Sequence, residues 1–385
     1  MALTTLPTAA FATGSVGTSQ LADGAVTTEK LVADVNFRNL IINGDMSIAQ
    51  RGTSTASITG TGYFTIDRVK NAMSGFGTWT QSQSTDVPSG EGFGYSLKYD
   101  CTTANASLSA SAFGIFQMSK LEGQMLQYLK KGTANAESLT ISFWVKSSKT
   151  GTYIVELFDE DNSRFTNKSY SINSASTWEK KIITFDGDTT GAFNNDNGDS
   201  LSINFWLGAG TTFTTGSLQT TWGGNTASNR AVGQVNLADN TANEWYITGV
   251  QLEVGTSASD FEFLPYDVNL RRCYRYYEKS YDYETAPATN TEVSSMAING
   301  LDQGTKQLRS VPVKHLETKR ATPTVTIYDV PGNSGKINTL DSGGTTATNQ
   351  SFNGLLANGK NSFNWYIGST DKEGYIYHYT ADAEL

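Results

Sequence analysis

Seven prolines, two cysteines and two histidines are all that 385 residues contain of three residue types on which many folds and active sites depend. The cysteines, Cys101 and Cys273, lie far apart and form no CxxC pair, which excludes a disulfide framework. They read as two free thiols in a chain made in a reducing compartment. Both histidines, His315 and His378, fall inside strand-like patterns near the end of the chain, and a Ser-His-Asp triad would have to use one of them. There is no G-x-S-x-G, no H-E-x-x-H and no P-loop. Thirty-seven Asp and Glu residues supply many chance carboxylate pairs, yet none is singled out beside an aromatic-lined strand as glycoside hydrolysis requires. The chain is therefore expected to be no enzyme.

Runs of positive charge are missing too. The net charge is −9 with no cluster of Lys or Arg, which argues against sequence-independent binding to nucleic acid. No stretch approaches the roughly 20 apolar residues of a membrane span. The opening MALTTLPTAAFATG lacks the basic and apolar regions of a signal peptide, so neither membrane insertion nor export by the usual route is expected.

Glycine, by contrast, is abundant at 37 residues and is interspersed with Ser, Thr and Asn, the signature of many short strands and tight turns. Three zones follow. Residues 1–36 carry a repeat of about ten residues, GSVGTSQLAD then GAVTTEKLVAD. Each unit offers one Val and one Leu (Val16 and Leu21, then Val26 and Leu31), too little for a core within one chain. Low hydrophobicity is the usual mark of a disordered tail, but the apolar positions recur in register. The segment is thus read as one that attaches to copies of itself or to a partner.

Residues 37–268 alternate with period two. SLTISFWVKSS sets Leu139, Ile141, Phe143 and Val145 against Thr140, Ser142, Trp144 and Lys146. SLSINFWLGAG sets Leu201, Ile203, Phe205 and Leu207 against Ser202, Asn204 and Trp206. Repeated over many segments, this pattern predicts two antiparallel sheets packed as a sandwich. FQMSKLEGQMLQYLKKG (116–132) fits a strand or a helix. Residues 269–385 open on the tyrosine-rich NLRRCYRYYEKSYDYE and continue through four more strand patterns, the outline of a smaller β-sandwich. Tyr375, Tyr377 and Tyr379 share one face of its last strand.

Candidate ligand-binding residues are few. Trp144 and Trp206 sit on the polar faces of their strands, where an indole stacks on a sugar ring unless loops or a neighbouring subunit cover it. Trp79 (GFGTWTQ) and Trp222 (TTWGGN) are expected in exposed loops, where binding residues concentrate. Two acidic turns, with Asp159, Glu160 and Asp161 and with Asp196 and Asp199, hold ligand types suited to Ca²⁺ but lack the twelve-residue loop, so solvated turns are preferred and no cofactor is expected. Asn43-Gly44 in NLIINGDMSIAQRGTS is expected to turn the first hairpin, with Leu40 and Ile42 or Ile41 facing the core. Arg51-Gly52 is expected to end it.

NLIINGDMSIAQRG, SLTISFWVKSSKTGTYIVELFD, STWEKKIITF, SLSINFWLGAG and EWYITGVQLEVG resemble, in that order, the galactose-binding-like jelly-roll carbohydrate-binding modules. Met46-Ser47 departs from the Phe-Glu such modules often carry, which puts their structural calcium in doubt. NLIINGDMSIAQRGTS, YFTIDRV, VQLEVGTSASDFEFLPYDVNLRRCYRYYEKS, PTVTIYD and YTADAEL are similar to runs in tail-fibre and other virion-appendage proteins of tailed bacteriophages. Together the resemblances imply an all-β chain: a jelly-roll sandwich, a smaller C-terminal sandwich and a short extended N-terminal segment. They imply a homotrimer assembled in the host cytoplasm and carried on the virion. Its N-terminal segment would join tail, neck or capsid proteins, and its sandwiches would face host surface polysaccharide. A head fibre, decoration or neck appendage with no receptor role is the alternative reading, and a glycan-cleaving tailspike a less favoured one.

Overall fold

The structure, a computed structural model, describes residues 37–299, 308–340, 346–367 and 374–385. The N-terminal repeat, with Val16, Leu21, Val26 and Leu31, lies outside the described residues. Period-two alternation over the middle of the chain builds two antiparallel sheets face to face. The first has six strands in the order Ser54–Ile58, Thr78–Ser84, Ser96–Thr103, Glu244–Val254, Leu139–Ser147 and Glu179–Phe185. The second has seven, in the order Gly223–Gly224, Arg164–Ile172, Gly151–Asp159, Asp199–Ala209, Phe113–Glu122, Val69–Ser74 and Gly62–Tyr63. The ambiguous 116–132 stretch resolves as the end of strand Phe113–Glu122 followed by two short 3₁₀ turns, Gly123–Met125 and Gln127–Leu129. Val69–Ser74 and Asp199–Ala209 pair with it on either edge and satisfy its backbone groups, while Phe116, Met118 and Leu121 are buried in the core.

The inward residues of both sheets fuse into one core. Phe143 of the first sheet meets Phe205 of the second at 5.0 Å edge to face, and Phe116 packs on Trp245 at 5.3 Å across the same gap. Burying each such ring is worth about 1.5–3 kcal/mol.

The Asn43-Gly44 turn differs from its expectation. Residues 39–53 form no strand, so there is no hairpin. Asn43 adopts a left-handed φ of 63°, and its side-chain amide donates to the carbonyls of Ile48 and Asp67. Gly44 lies so close to strand Glu244–Val254 that a Cβ there would stand 2.1 Å from the Val250 oxygen. The segment is a plug seated against that strand by backbone bonds from the Leu40 N–H to Leu252 and from the Val250 N–H to Gly44, together with the Asn39 side chain, and Leu40, Ile41 and Ile42 are all buried.

A second sandwich follows. Around the central strand Gly374–Asp382 pair Tyr277–Lys279, Met296–Asn299, Thr324–Tyr328 and Lys336–Leu340, with Thr346–Ser351 beyond. Leu308–Arg309, Val313–Lys314 and Gly354–Asn358 pair with Ser362–Ile367 in the opposing sheet. Tyr375 and Tyr377 meet Trp365 at 5.7 and 5.0 Å, and Tyr379 meets Phe363 at 5.0 Å, so the shared tyrosine face is this domain's core.

Helix Tyr266–Tyr274 links the sandwiches, with Asp267 in its first turn and Arg271 and Arg272 in its last, as the helix dipole favours. Arg51, expected merely to end a turn, is a junction residue. It reaches Asp382 at 3.0 Å and Glu384 at 3.5 Å and stacks 3.7 Å above Tyr277. Arg68 pairs with Glu384 from the same side. Both cysteines are free and buried.

Candidate functional site: an open sheet face around Trp144

The two sheets differ in what covers their outer faces. Over the second sheet the excursion between residues 210 and 236 folds back. There Phe213 packs on Trp206 at 5.3 Å and the Arg230 guanidinium lies 5.2 Å from the same indole. Arg230 donates twice to Glu156, at 2.8 and 2.6 Å, and Glu156 in turn accepts from Asn204 at 2.8 Å. The polar residues that marked this face as exposed are thus buried and satisfied, and Trp206 is fully buried among them. It offers no surface to a ligand, which corrects its expected role.

Trp79 is corrected for another reason. It lies on the inner face of strand Thr78–Ser84, in register with Cys101. Its ring stacks on Phe76 at 5.2 Å, its Nε1 donates to the Phe76 carbonyl at 2.6 Å, and it is wholly buried. The next inward residue, Gln81, is polar and disguised the core face. Its amide is satisfied by Asn71 at 3.0 Å and the Tyr99 hydroxyl at 2.9 Å.

Trp222 is half-buried at an end of the sandwich. Its Nε1 donates to the Asp186 carbonyl at 2.8 Å and the Lys131 ammonium sits 5.4 Å from its ring. The tight space around it holds Leu129, Lys131, Asp188 and Phe193, so it caps the core more than it faces solvent.

Trp144 alone of the four stands in an open groove. On the outer face of the first sheet, register places Thr248, Trp144 and Lys180 in one row and Tyr246 beside Lys146 in the next. Loops from residues 90–93 and 260–263 rise along one side. Together they enclose about 380 Å³ lined by Trp144, Phe93, Phe261, Phe263, Ser142, Lys180, Glu91 and Asp260. The three phenylalanines pack mutually at 4.9–5.1 Å, and Phe263 remains 50% exposed. Gly249, at φ +62°, lets Phe93 in, since a Cβ there would stand 2.5 Å from the ring. The ladder shifts register at that point, a bulge that re-aims the strand beside the groove.

Farther along the face the aromatic surface is edged by fixed charge. The Lys146 ammonium lies 4.2 Å from the Tyr246 ring and 5.4 Å from Trp178. Asp86 accepts from Lys146 and, at 3.0 Å, from the Trp178 indole. Burial alone would raise the Asp86 carboxyl, but these two hydrogen bonds outweigh it and hold it below the usual carboxylate range. Lys98 and the Tyr246 hydroxyl do the same for Glu244, against the same opposing burial. Burial pushes the Tyr246 phenol up to about 12, so it stays a donor at neutral pH.

Apolar ring faces flanked by hydroxyl, ammonium and carboxylate groups suit a ligand with an apolar face and hydroxyl edges. The sequence reading missed Phe261, Phe263, Trp178 and Tyr246. The two aromatics of DFEFLP, directly after the last sandwich strand, were the available signal.

The acidic turns weighed for Ca²⁺ are engaged otherwise. Asp159 and Asp188 share Lys131, Asp161 accepts from the backbone and side chain of Asn194 at 3.0 and 2.7 Å, and Asp199 pairs with Lys120. Among the described residues no group of three or more His, Cys, Asp or Glu side chains is arranged to hold a metal ion, and no helix is long and apolar enough to cross a membrane. His378 Nδ1 lies 3.0 Å from the Ser280 hydroxyl. That oxygen also accepts the Tyr379 N–H at 2.9 Å, and Tyr281 stacks 3.9 Å over the buried imidazole, so both groups are engaged in local packing against strand Gly374–Asp382. His315 is buried against Glu278 at 2.8 Å.

No protein-family model matches the chain, and no curated protein matches it by sequence. Solved structures similar to it include the enzymatically active domain of tailspike protein 4 of bacteriophage CBA120, at 15% identity and a TM-score of 0.30. That match covers 57% of this chain but only 22% of the tailspike chain. A putative sugar binding protein from Bacteroides thetaiotaomicron VPI-5482 is similar at 12% identity and a TM-score of 0.28, covering 56% of this chain and 100% of that one. TmCBM61 in complex with β-1,4-galactotriose is similar at 10% identity and a TM-score of 0.27, covering 57% and 99%.

Proposed function

We propose that this chain is a bacteriophage virion fibre protein that binds host surface glycan, without cleaving it, in the Trp144 groove. The observation that carries the glycan reading is the groove over the outer face of the first sheet, where the half-buried Trp144 and the exposed Phe263 present ring surface beside Ser142, Lys180, Glu91 and Asp260. The virion role rests on the sequence resemblance alone. On that reading residues 1–36 attach three copies to tail, neck or capsid proteins, and the sandwiches point outward.

Replacing Trp144 by Ala tests the glycan reading. Losing one stacking face removes about 1–1.5 kcal/mol, so affinity for host surface polysaccharide per folded molecule is expected to fall roughly tenfold, and because Trp144 is itself half-buried the melting temperature is expected to fall as well. Adsorption of particles carrying the variant should fall in parallel. Unchanged adsorption with the fibre still on the particle favours the alternative, a head fibre, decoration or neck appendage. Release of reducing ends from purified host polysaccharide would overturn the non-enzymatic reading.

A further inference from the structure

A second groove, of about 330 Å³, opens where the two sandwiches meet. Ile42, Met125 and Val268 give it an apolar lining, the Tyr276 ring forms part of its wall, and Arg271, Arg272 and Arg275 from the linker helix and its end supply its charge. Two of the three guanidiniums are already matched. Arg275 donates to both oxygens of Glu122, at 2.7 and 2.6 Å. Arg271 lies 3.2 Å from Glu317.

Arg272 is the exception. Among the described residues no carboxylate forms an ion pair with it, and its Nη1 has no hydrogen-bond acceptor. Burial pulls its guanidinium below the usual range and outweighs the opposing attraction of Glu262, which forms no ion pair with it. An unpaired, partly desolvated cation is costly, and an anion brought to it gains more than it would at an exposed arginine.

The same part of the molecule shows which anion fits. Arg68 stacks 3.4 Å above Tyr276 and pairs with Glu384. The next residue, Leu385, packs on the cluster formed by Ile42, Ile48, Cys273 and Tyr276. An acidic residue followed by a large aliphatic one is thus the occupant this cluster already takes, from its own chain. The groove shares Ile42 and Tyr276 with that cluster and offers Arg272 in the role of Arg68.

We propose that the groove docks a segment of another polypeptide with the same chemistry, an acidic residue followed by a large aliphatic one. The carboxylate pairs with Arg272 and the aliphatic side chain lies among Ile42, Met125 and Val268. A charged hydrogen bond at such a site is worth about 1.5–3 kcal/mol, a tenfold or larger effect on affinity.

The test uses the full chain with isotope-labelled methionine methyl groups, the Met125 signal being assigned through Met125→Leu. Acetyl-Ala-Glu-Leu-amide is expected to shift the Met125 resonance saturably. The Gln counterpart of the peptide, and Arg272→Gln in the protein, should each weaken that binding about tenfold. Should Arg272→Gln fail to fold, the Glu and Gln peptides on the unaltered protein decide the matter alone. No shift at Met125, equal binding of the two peptides, or a shift with octanoate but not with the peptide would overturn the proposal.

Discussion

Trp144 and Trp79 show how much the face of a strand decides for a single residue. Each sits in a strand among polar neighbours, yet one lines an open groove and the other is sealed against Phe76. Trp79→Ala should therefore cost about 3–5 kcal/mol in urea unfolding while leaving glycan affinity per folded molecule unchanged, whereas Trp144→Ala should lower that affinity. His378 carries a pH dependence. Burial lowers its pKa from 6.5, against the opposing hydrogen bond to the Thr291 carbonyl. The unfolded chain thus takes up a proton before the folded one. The stability this group contributes is complete above about pH 6.5 and is lost as pH falls through the lower, folded value. Comparing urea midpoints at pH 7.5 and 5 in wild type and His378→Gln checks this, and an equal fall in both would show that His378 is not the source.

At the scale of elements, the excursion over residues 210–236 is what makes the two faces of the sandwich unequal. It is held by Arg230, which pairs bidentately with the buried Glu156. Removing one partner of a buried pair costs about 3–5 kcal/mol, so Arg230→Ala should loosen this cover and expose Trp206. A red shift of tryptophan emission in Arg230→Ala, absent when Trp206 is also replaced by Phe, would report it. An unshifted spectrum would mean that Phe213 and Leu218 hold the cover by apolar packing alone. The strands themselves were legible because each alternates over seven or more residues, as in Leu139–Ser147 and Asp199–Ala209. The Asn43-Gly44 plug was not. An Asn-Gly pair is compatible with a hairpin turn and with a close approach to another backbone, and only the position of Val250 selects the second.

For the whole molecule, the junction between sandwiches depends on a few residues far apart in the chain. Glu384 meets both Arg51 and Arg68, and the Tyr63 hydroxyl donates to the Leu385 carbonyl at 2.7 Å. Glu384→Ala leaves Arg68 buried without its partner, for which about 3–5 kcal/mol is expected. Calorimetry should then resolve two unfolding transitions where the wild type shows one, and a single transition at the wild-type temperature would remove Glu384 from this role.

Sequence alone determined the all-β character, the alternation that assigns Leu139, Ile141, Phe143 and Val145 to one face, and the tyrosine face of the last strand. These follow from the two-residue period of a strand, which is a local property. It also placed Trp144 on an outward face, but Trp206 satisfies the same local rule and is buried. Whether an outward face meets solvent depends on what the rest of the chain lays over it. The groove around Trp144, the cover over Trp206, and the joining of Arg51 to residues more than three hundred positions away are long-range events, and only the tertiary structure decided them.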